Sequence, residues 1–154
     1  MNKAFLNLGS NIQPEKNIIQ AIKLLREVGE VQAVSSVWES ESVGYNGANF
    51  LNMCVLFITN LQPDELKEKI LRSIENKLGR VRDDNKNAPR SIDIDIVLFN
   101  ETPYHISTWK YAFVIVPLAE IIPNFEHPFE KISLAKFSEQ IQRQVWIVKR
   151  EDVK

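Results

Sequence analysis

Residues 79–99 read Gly-Arg-Val-Arg-Asp-Asp-Asn-Lys-Asn-Ala-Pro-Arg-Ser-Ile-Asp-Ile-Asp-Ile-Val-Leu-Phe, and the two halves of this stretch have opposite character. The first is a polar loop carrying Arg80, Arg82, Lys86 and Arg90; the second alternates from Ile92 to Ile96 and runs into Val97-Leu98-Phe99. Side chains two apart on a strand share a face, so Asp93 and Asp95 point one way and Ile92, Ile94 and Ile96 the other. One reading is the solvated face of an amphipathic strand. The other follows from charge. Neighbouring carboxylates repel unless a cation lies between them, and magnesium takes a few carboxylates together with phosphate oxygens. Guanidinium groups just upstream grip phosphate with paired hydrogen bonds. The stretch therefore reads as a magnesium–polyphosphate site.

Working outward, the remaining segments supply a frame for this strand. Ala4 to Leu8 is a short buried strand stopped by Gly9-Ser10-Asn11. A helix follows with Pro14 in its first turn, Ile18, Ala21, Ile22, Leu25 and Val28 at helical spacing, and Gly29 as its stop. Val31 to Trp38 is a β-branched strand, Glu39 to Asn49 a turn-rich loop, and Phe50 to Thr59 a near-continuously apolar strand of the kind found at a sheet's centre. Pro63-Asp64-Glu65 opens a second helix with acidic residues at its positive end, Leu66, Ile70 and Ile74 form its core stripe, and Gly79 ends it. The order is β-α-β-β-α-β, an α+β ferredoxin-like core with a mainly antiparallel sheet. Its last strand, bearing Asp93 and Asp95, is expected at the centre, where charge is costly unless paired or metal-bound. Beyond Asn100, Pro117 is expected to start a short helix that stops before Pro123. Leu134, Phe137 and Ile141 mark another, and Val145 to Val148 a late strand. Helices from this tail would cover the second face, giving three layers, α/β/α.

Composition narrows the function classes. With 154 residues, 44% hydrophobic and 25% charged, the chain reads as one globular domain over 1–154, and its net charge of -1 gives no field that would recruit nucleic acid. Cys54 is the only cysteine and lies in an apolar run, which fits packing in a reducing cytoplasm better than a nucleophile or a disulfide. The N-terminus lacks the apolar length of a signal peptide or membrane span. No Gly-x-x-x-x-Gly-Lys-Ser/Thr loop is present, so a P-loop mechanism is excluded. His105 and His127 have no i, i+4 partner and no cysteine beside them, and a lone histidine in a loop is more often a structural hydrogen bonder than a zinc ligand. Phe50 and Phe113 are core aromatics unless a flat ligand lies between them.

Taken together and in order, Gly9-Ser10-Asn11, Phe50-Leu51-Asn52, Gly79-Arg80-Val81-Arg82, Pro89-Arg90-Ser91-Ile92-Asp93-Ile94-Asp95-Ile96 and Phe113-Val114-Ile115-Val116-Pro117-Leu118 resemble the 6-hydroxymethyl-7,8-dihydropterin pyrophosphokinase family of folate biosynthesis. The resemblance covers nearly the whole chain and is weakest in the last thirty or so residues. It implies transfer of the terminal two phosphates of ATP to the hydroxymethyl group of the pterin, with release of AMP. By this likeness Asp93 and Asp95 hold two magnesium ions, and Arg80 and Arg90 neutralise phosphate charge. Glu75, Arg82, Ile96, His105 and Lys110 fall to the nucleotide. Phe50 and Phe113 sandwich the pterin, Asn52 and Ser40 bond its edge, and Val43 offers backbone contacts. The implied partners are small molecules, pterin and ATP, with no nucleic acid and no membrane, and the implied state is a cytoplasmic monomer. Loops around Gly44-Tyr45-Asn46-Gly47 and Asp83 to Ala88 would close over the substrates. The chain departs from the family at Asn87-Ala88, where Trp-Gly is usual, at Tyr111, where the family often has arginine (Lys110 is adjacent), and at Glu41-Ser42, where prolines are usual. An alternative is a paralogue that binds pterin or nucleotide with weak or no turnover.

Overall fold

A computed structural model describes residues 1–44, 46–79 and 91–153. Among the described residues seven strands, β1 (Asn2–Ser10), β2 (Glu30–Val34), β3 (Trp38–Ser40), β4 (Phe50–Thr59), β5 (Asp93–Phe99), β6 (Thr102–Pro103) and β7 (Ile147–Lys149), form one antiparallel sheet in the order β6-β5-β1-β4-β3-β7, with β2 also paired to β4. The two long strands, β1 (Asn2–Ser10) and β4 (Phe50–Thr59), lie side by side in the middle and pair along their full length, Asn2 with Thr59 through Ser10 with Leu51. Both are almost wholly buried because helices cover both sheet faces.

Helix α1 (Pro14–Val28) carries the chain from β1 to β2 (Glu30–Val34). Pro14 sits in its first turn, as expected, after Gln13 in the left-handed region. Gly29 ends α1 for a different reason from the expected one. Its φ is -179, plain extended backbone, but a Cβ there would lie 2.3 Å from Cζ of the buried Phe57, so the position is small because of packing. The second helical segment is α2 (Pro63–Leu66), a π-helical turn over Lys67–Leu71, and α3 (Arg72–Lys77). Gln62 and Glu65 form a capping box at its start. The wider π turn rotates the helix so that Ile74 and Glu75 both become buried. Gly79 ends this segment at φ +81, a left-handed position that glycine adopts without strain.

α1, α2 and α3 share one sheet face, where Ile18, Leu25, Leu66 and Ile74 pack against Leu6, Leu8, Val55, Phe57 and Ile94. The opposite face is covered by α4 (Ala112–Ile121) and α5 (Leu134–Gln142), with Trp109, Val114, Ile115 and Leu118 against Phe5, Cys54, Leu56 and Leu98. The expected three layers are present.

Four expectations are corrected. The strand expected over Val31–Trp38 is two, β2 and β3 (Trp38–Ser40), which pair with different halves of β4. Ser35 makes the break: its hydroxyl accepts from Cys54 N (2.8 Å) and donates to Ser36 O (2.7 Å), replacing ladder bonds with side-chain bonds. The strand β5 (Asp93–Phe99) is not central. It lies outside β1, and β6 (Thr102–Pro103) covers only its last two residues. The outward N–H of Ile94 is met instead by Glu75, whose Oε2 accepts it at 2.8 Å. The third correction concerns α4, which begins at Ala112 and holds Pro117 in its interior instead of at its start. Finally, β7 spans Ile147–Lys149 and pairs with β3, two residues later than expected at its start.

Candidate active site

Alternation on the strands places the site on the α4 face. Pairing puts Asp93 beside Gly9, Gly9 beside Asn52 and Asn52 beside Trp38, one transverse row of the sheet. The next row holds Asp95, Asn7 and Cys54. Adjacent strands are about 4.8 Å apart, so the backbones of Asp93 and Asn52 stand roughly 10 Å from each other across β1. Between them Gly9 has no side chain, which leaves room for the Asn52 amide over β1.

A cavity of about 220 Å³ sits over this part of the sheet, its floor. Asp93 and Asp95 form one end, both half-buried. Asn52 and Ser40 rise at the other, with Phe50, Val43 and Glu41 on one side and Phe113, Tyr111 and Thr108 on the other. Its size suits one small molecule. A larger groove of about 830 Å³ lies between α1 and the C-terminal residues Lys149 to Val153, but it lacks paired carboxylates and lies away from this chemistry.

The polar groups of the cavity are built by specific contacts. Asn52 is 4% exposed; its Nδ2 reaches Leu8 O at 3.4 Å, while its Oδ1 has no partner among the described residues. A buried acceptor left open in a cavity calls for a donor from a ligand. A Cβ on Gly9 would lie 2.6 Å from that Nδ2, so the glycine is what lets the amide lie on the floor. The next two residues tie other pieces to the same turn. Ser10, fully buried, donates its hydroxyl to Ser91 O just before β5, and Asn11 Nδ2 donates to Ala48 O (3.3 Å) in the β3–β4 loop.

Residues 105–111 are held from below by His127. Its Nε2 lies 2.8 Å from Trp109 O, and its Nδ1 accepts the N–H groups of Phe129 and Glu130, both at 3.1 Å. That pattern requires Nδ1 without a proton and Nε2–H donating, so His127 is a structural hydrogen bonder, as its isolation predicts. Tyr111 stacks on Phe113 with centroids 5.1 Å apart and planes 12° from parallel, and Lys110 Nζ lies 5.3 Å over the Tyr111 ring.

Comparison with known proteins fits this geometry. A model of the family described as 7,8-dihydro-6-hydroxymethylpterin-pyrophosphokinase matches residues 5–123. The chain belongs to this family. It is 42% identical over 137 residues to a 2-amino-4-hydroxy-6-hydroxymethyldihydropteridine pyrophosphokinase of Bacillus subtilis, covering 81% of each chain. To the protein of that name from Aquifex aeolicus it is 37% identical over 147 residues, covering 89% of this chain and 91% of that one. A crystal structure of Plasmodium falciparum HPPK-DHPS with pteroate superimposes at a TM-score of 0.69 and 15% identity, a likeness of fold. The alignment takes 93% of this chain but 45% of that longer one.

Measured against the family's expected site, Asp93, Asp95, Ser40, Val43, Phe50, Asn52 and Phe113 all line the cavity. Four residues expected at the nucleotide do not. His105 is exposed at φ 51 and closes the 3₁₀ turn by accepting from Thr108 N (2.8 Å). Lys110 is exposed on the stacked rings. Ile96 faces the α1 core at 6% exposure, so its side chain is packing. Glu75 is buried under the β5 edge. Arg80, Arg82 and Arg90, with the expected lid segment Asp83–Ala88 and Asn87-Ala88 within it, lie outside the described residues. Among lining residues, Asn7, Gly9 and Thr108 were not singled out as site residues from sequence. An asparagine between Leu6 and Leu8 was the available signal. Cys54 is fully buried and burial pushes its thiol pKa up, which removes it as a nucleophile.

Proposed function

We propose that this protein transfers the pyrophosphoryl group of ATP to the hydroxymethyl group of 6-hydroxymethyl-7,8-dihydropterin, releasing AMP. The observation that carries the reading is the cavity itself. It sets a carboxylate pair at one end and an open, buried amide oxygen flanked by Phe50 and Phe113 at the other. A pterin is flat, with N–H groups at its edge. Phe50 and Phe113 would hold its faces, and Asn52 Oδ1 would accept from the edge while Ser40 lies beside it.

In the reaction the substrate hydroxyl oxygen forms a bond to the β-phosphorus of ATP, the bond from that phosphorus to the α–β bridging oxygen breaks, and the hydroxyl proton leaves. The attacking group belongs to the substrate, so the chain's work is positioning and charge. Asp93 and Asp95, half-buried and on one face, suit magnesium, a hard cation that takes carboxylate oxygens. Bound there, two magnesium ions would neutralise phosphate charge. Arg80 and Arg90 are assigned to the phosphates, and Arg82, His105 and Lys110 to the nucleotide. Glu75 is assigned a supporting role instead, since its carboxylate serves the edge of the Asp-bearing strand. The protein acts as a cytoplasmic monomer in this reading.

The test is incubation with ATP, magnesium and the hydroxymethyl dihydropterin. AMP and a pyrophosphorylated pterin are expected in equal amounts, and EDTA should stop their formation. Release of ADP, or no consumption of nucleotide, would overturn the reading.

A further inference from the structure

Helix α4 carries Pro117 at its sixth residue. Proline has no N–H, so the carbonyl of Phe113, four residues earlier, loses its helical donor. That carbonyl belongs to the same residue whose ring forms one wall of the cavity. Its donor comes from the sheet. With its amide turned to donate, Asn7 Nδ2 lies 3.2 Å from Phe113 O and 3.3 Å from Met53 O. Asn7 is 7% exposed and points to the α4 face of β1, between Asp95 on β5 and Cys54 on β4. One amide therefore joins the floor strand, the neighbouring strand β4 and the helix that carries the ring.

We propose that Asn7 and Pro117 act as a pair that fixes where Phe113 stands over the cavity floor, and that Asn7 is a positioning residue for the flat substrate. The proline opens an acceptor at the second residue of the helix, and the asparagine uses it to set the height of the ring above β1. The proposal rests on the reading that Phe113 faces the pterin. Asp95 and the cavity border the position. A residue that only fills space between sheet and helix would tolerate leucine, which shares its branched shape. A residue that positions Phe113 through its carbonyl would not.

A double-mutant cycle separates the two. Asn7→Leu keeps the branching and the heavy-atom count of the side chain and removes the donor. Pro117→Ala gives the helix back the N–H that Phe113 O lacks. Asn7→Leu is expected to raise the KM for pterin roughly fivefold or more, the effect of leaving one buried acceptor unmet, with the KM for ATP unchanged. Pro117→Ala alone should raise the pterin KM less than Asn7→Leu does, because the restored N–H meets Phe113 O in place of the amide, and the double variant should recover most of the loss. Wild-type pterin KM in Asn7→Leu, equal rises for both substrates, or no recovery on adding Pro117→Ala would each overturn the pairing. Should Asn7→Leu not fold, recovery of folded protein in the double variant reads the same coupling, and its absence counts against it. A wild-type protein that forms no AMP would instead overturn the proposed function, which keeps the two failures apart.

Discussion

Gly9→Ala offers a narrow test of the site, because the structure says what the new methyl group would strike. The added Cβ would lie 2.6 Å from Asn52 Nδ2, where ordinary contact begins near 3.4 Å, so the amide must retreat by about 0.8 Å, the difference of the two. Nothing else is strained: the backbone at Gly9 is outside the left-handed region, and the group displaced is the tip of a side chain. The bond from Nδ2 to Leu8 O, already 3.4 Å long, would go, and the open Oδ1 would leave its place in the cavity. If that oxygen accepts from the pterin edge, its loss costs about 1–3 kcal/mol. This corresponds to roughly five- to 150-fold in affinity. Calorimetric titration with pterin, and AMP formation with each substrate varied in turn, would measure it. Pterin affinity should fall within that range while the KM for ATP and the melting temperature stay near wild type. In an Asn52→Ala background the same substitution should cost nothing further. Unchanged pterin affinity in Gly9→Ala would refute the role given to Asn52.

Other outcomes follow from the same contacts. Asp95→Ala should abolish AMP formation while circular dichroism and melting temperature stay close to wild type, since the residue is half-buried on the part of β5 that β6 does not pair with; a variant that still turns over would remove it from the metal site. Gly29→Ala, whose Cβ would lie 2.3 Å from the Phe57 ring, should destabilise by about 1–3 kcal/mol in urea titrations, with substrate affinities unchanged. Arg150, just after β7, donates to Glu39 Oε1 on β3 (2.8 Å) and to both carboxylate oxygens of Asp152 (2.8 Å each), and these contacts are sensitive to acid. Hydrogen bonding from Arg150 lowers the Asp152 carboxyl from 3.8 to about 2, and the Asn49 hydrogen bond leads the lowering of Glu39. A depressed folded value stabilises fully above the unfolded value of 3.8 and loses that stabilisation as pH falls through about 2. Arg150 holds the tail to the body through Glu39 (2.8 Å), whose carboxyl is also lowered. Proteolysis after Lys149 should therefore increase as pH falls below the ordinary carboxylate range, and Arg150→Ala should abolish that pH dependence.

Much of this protein is set by residue pattern alone. The alternation from Ile92 to Ile96 determines that Asp93 and Asp95 share a face whatever sheet they join, because the strand period is two. The apolar run from Leu51 to Ile58 and the helical spacing of Ile18, Ile22 and Leu25 determine what is buried, and with it the places of α1 and β4 in the order of elements. The long-range contacts are another matter. That β5 lies outside β1, and that Glu75 answers the open N–H of Ile94, depends on how two crossovers place strands that are far apart in the chain. Read locally, Pro117 is a helix start, because a proline inside a helix strands a carbonyl; in the fold that carbonyl lies within hydrogen-bond reach of Asn7 on the first strand. Gly9 and Gly29 look alike as stops on paper, yet each is small for a partner beyond its own neighbours, Asn52 in one case and Phe57 in the other. Periodicity is a property of neighbours along the chain and can be read from them. The support of a carbonyl, an open amide oxygen or the room left by a glycine belongs to residues that meet only after folding.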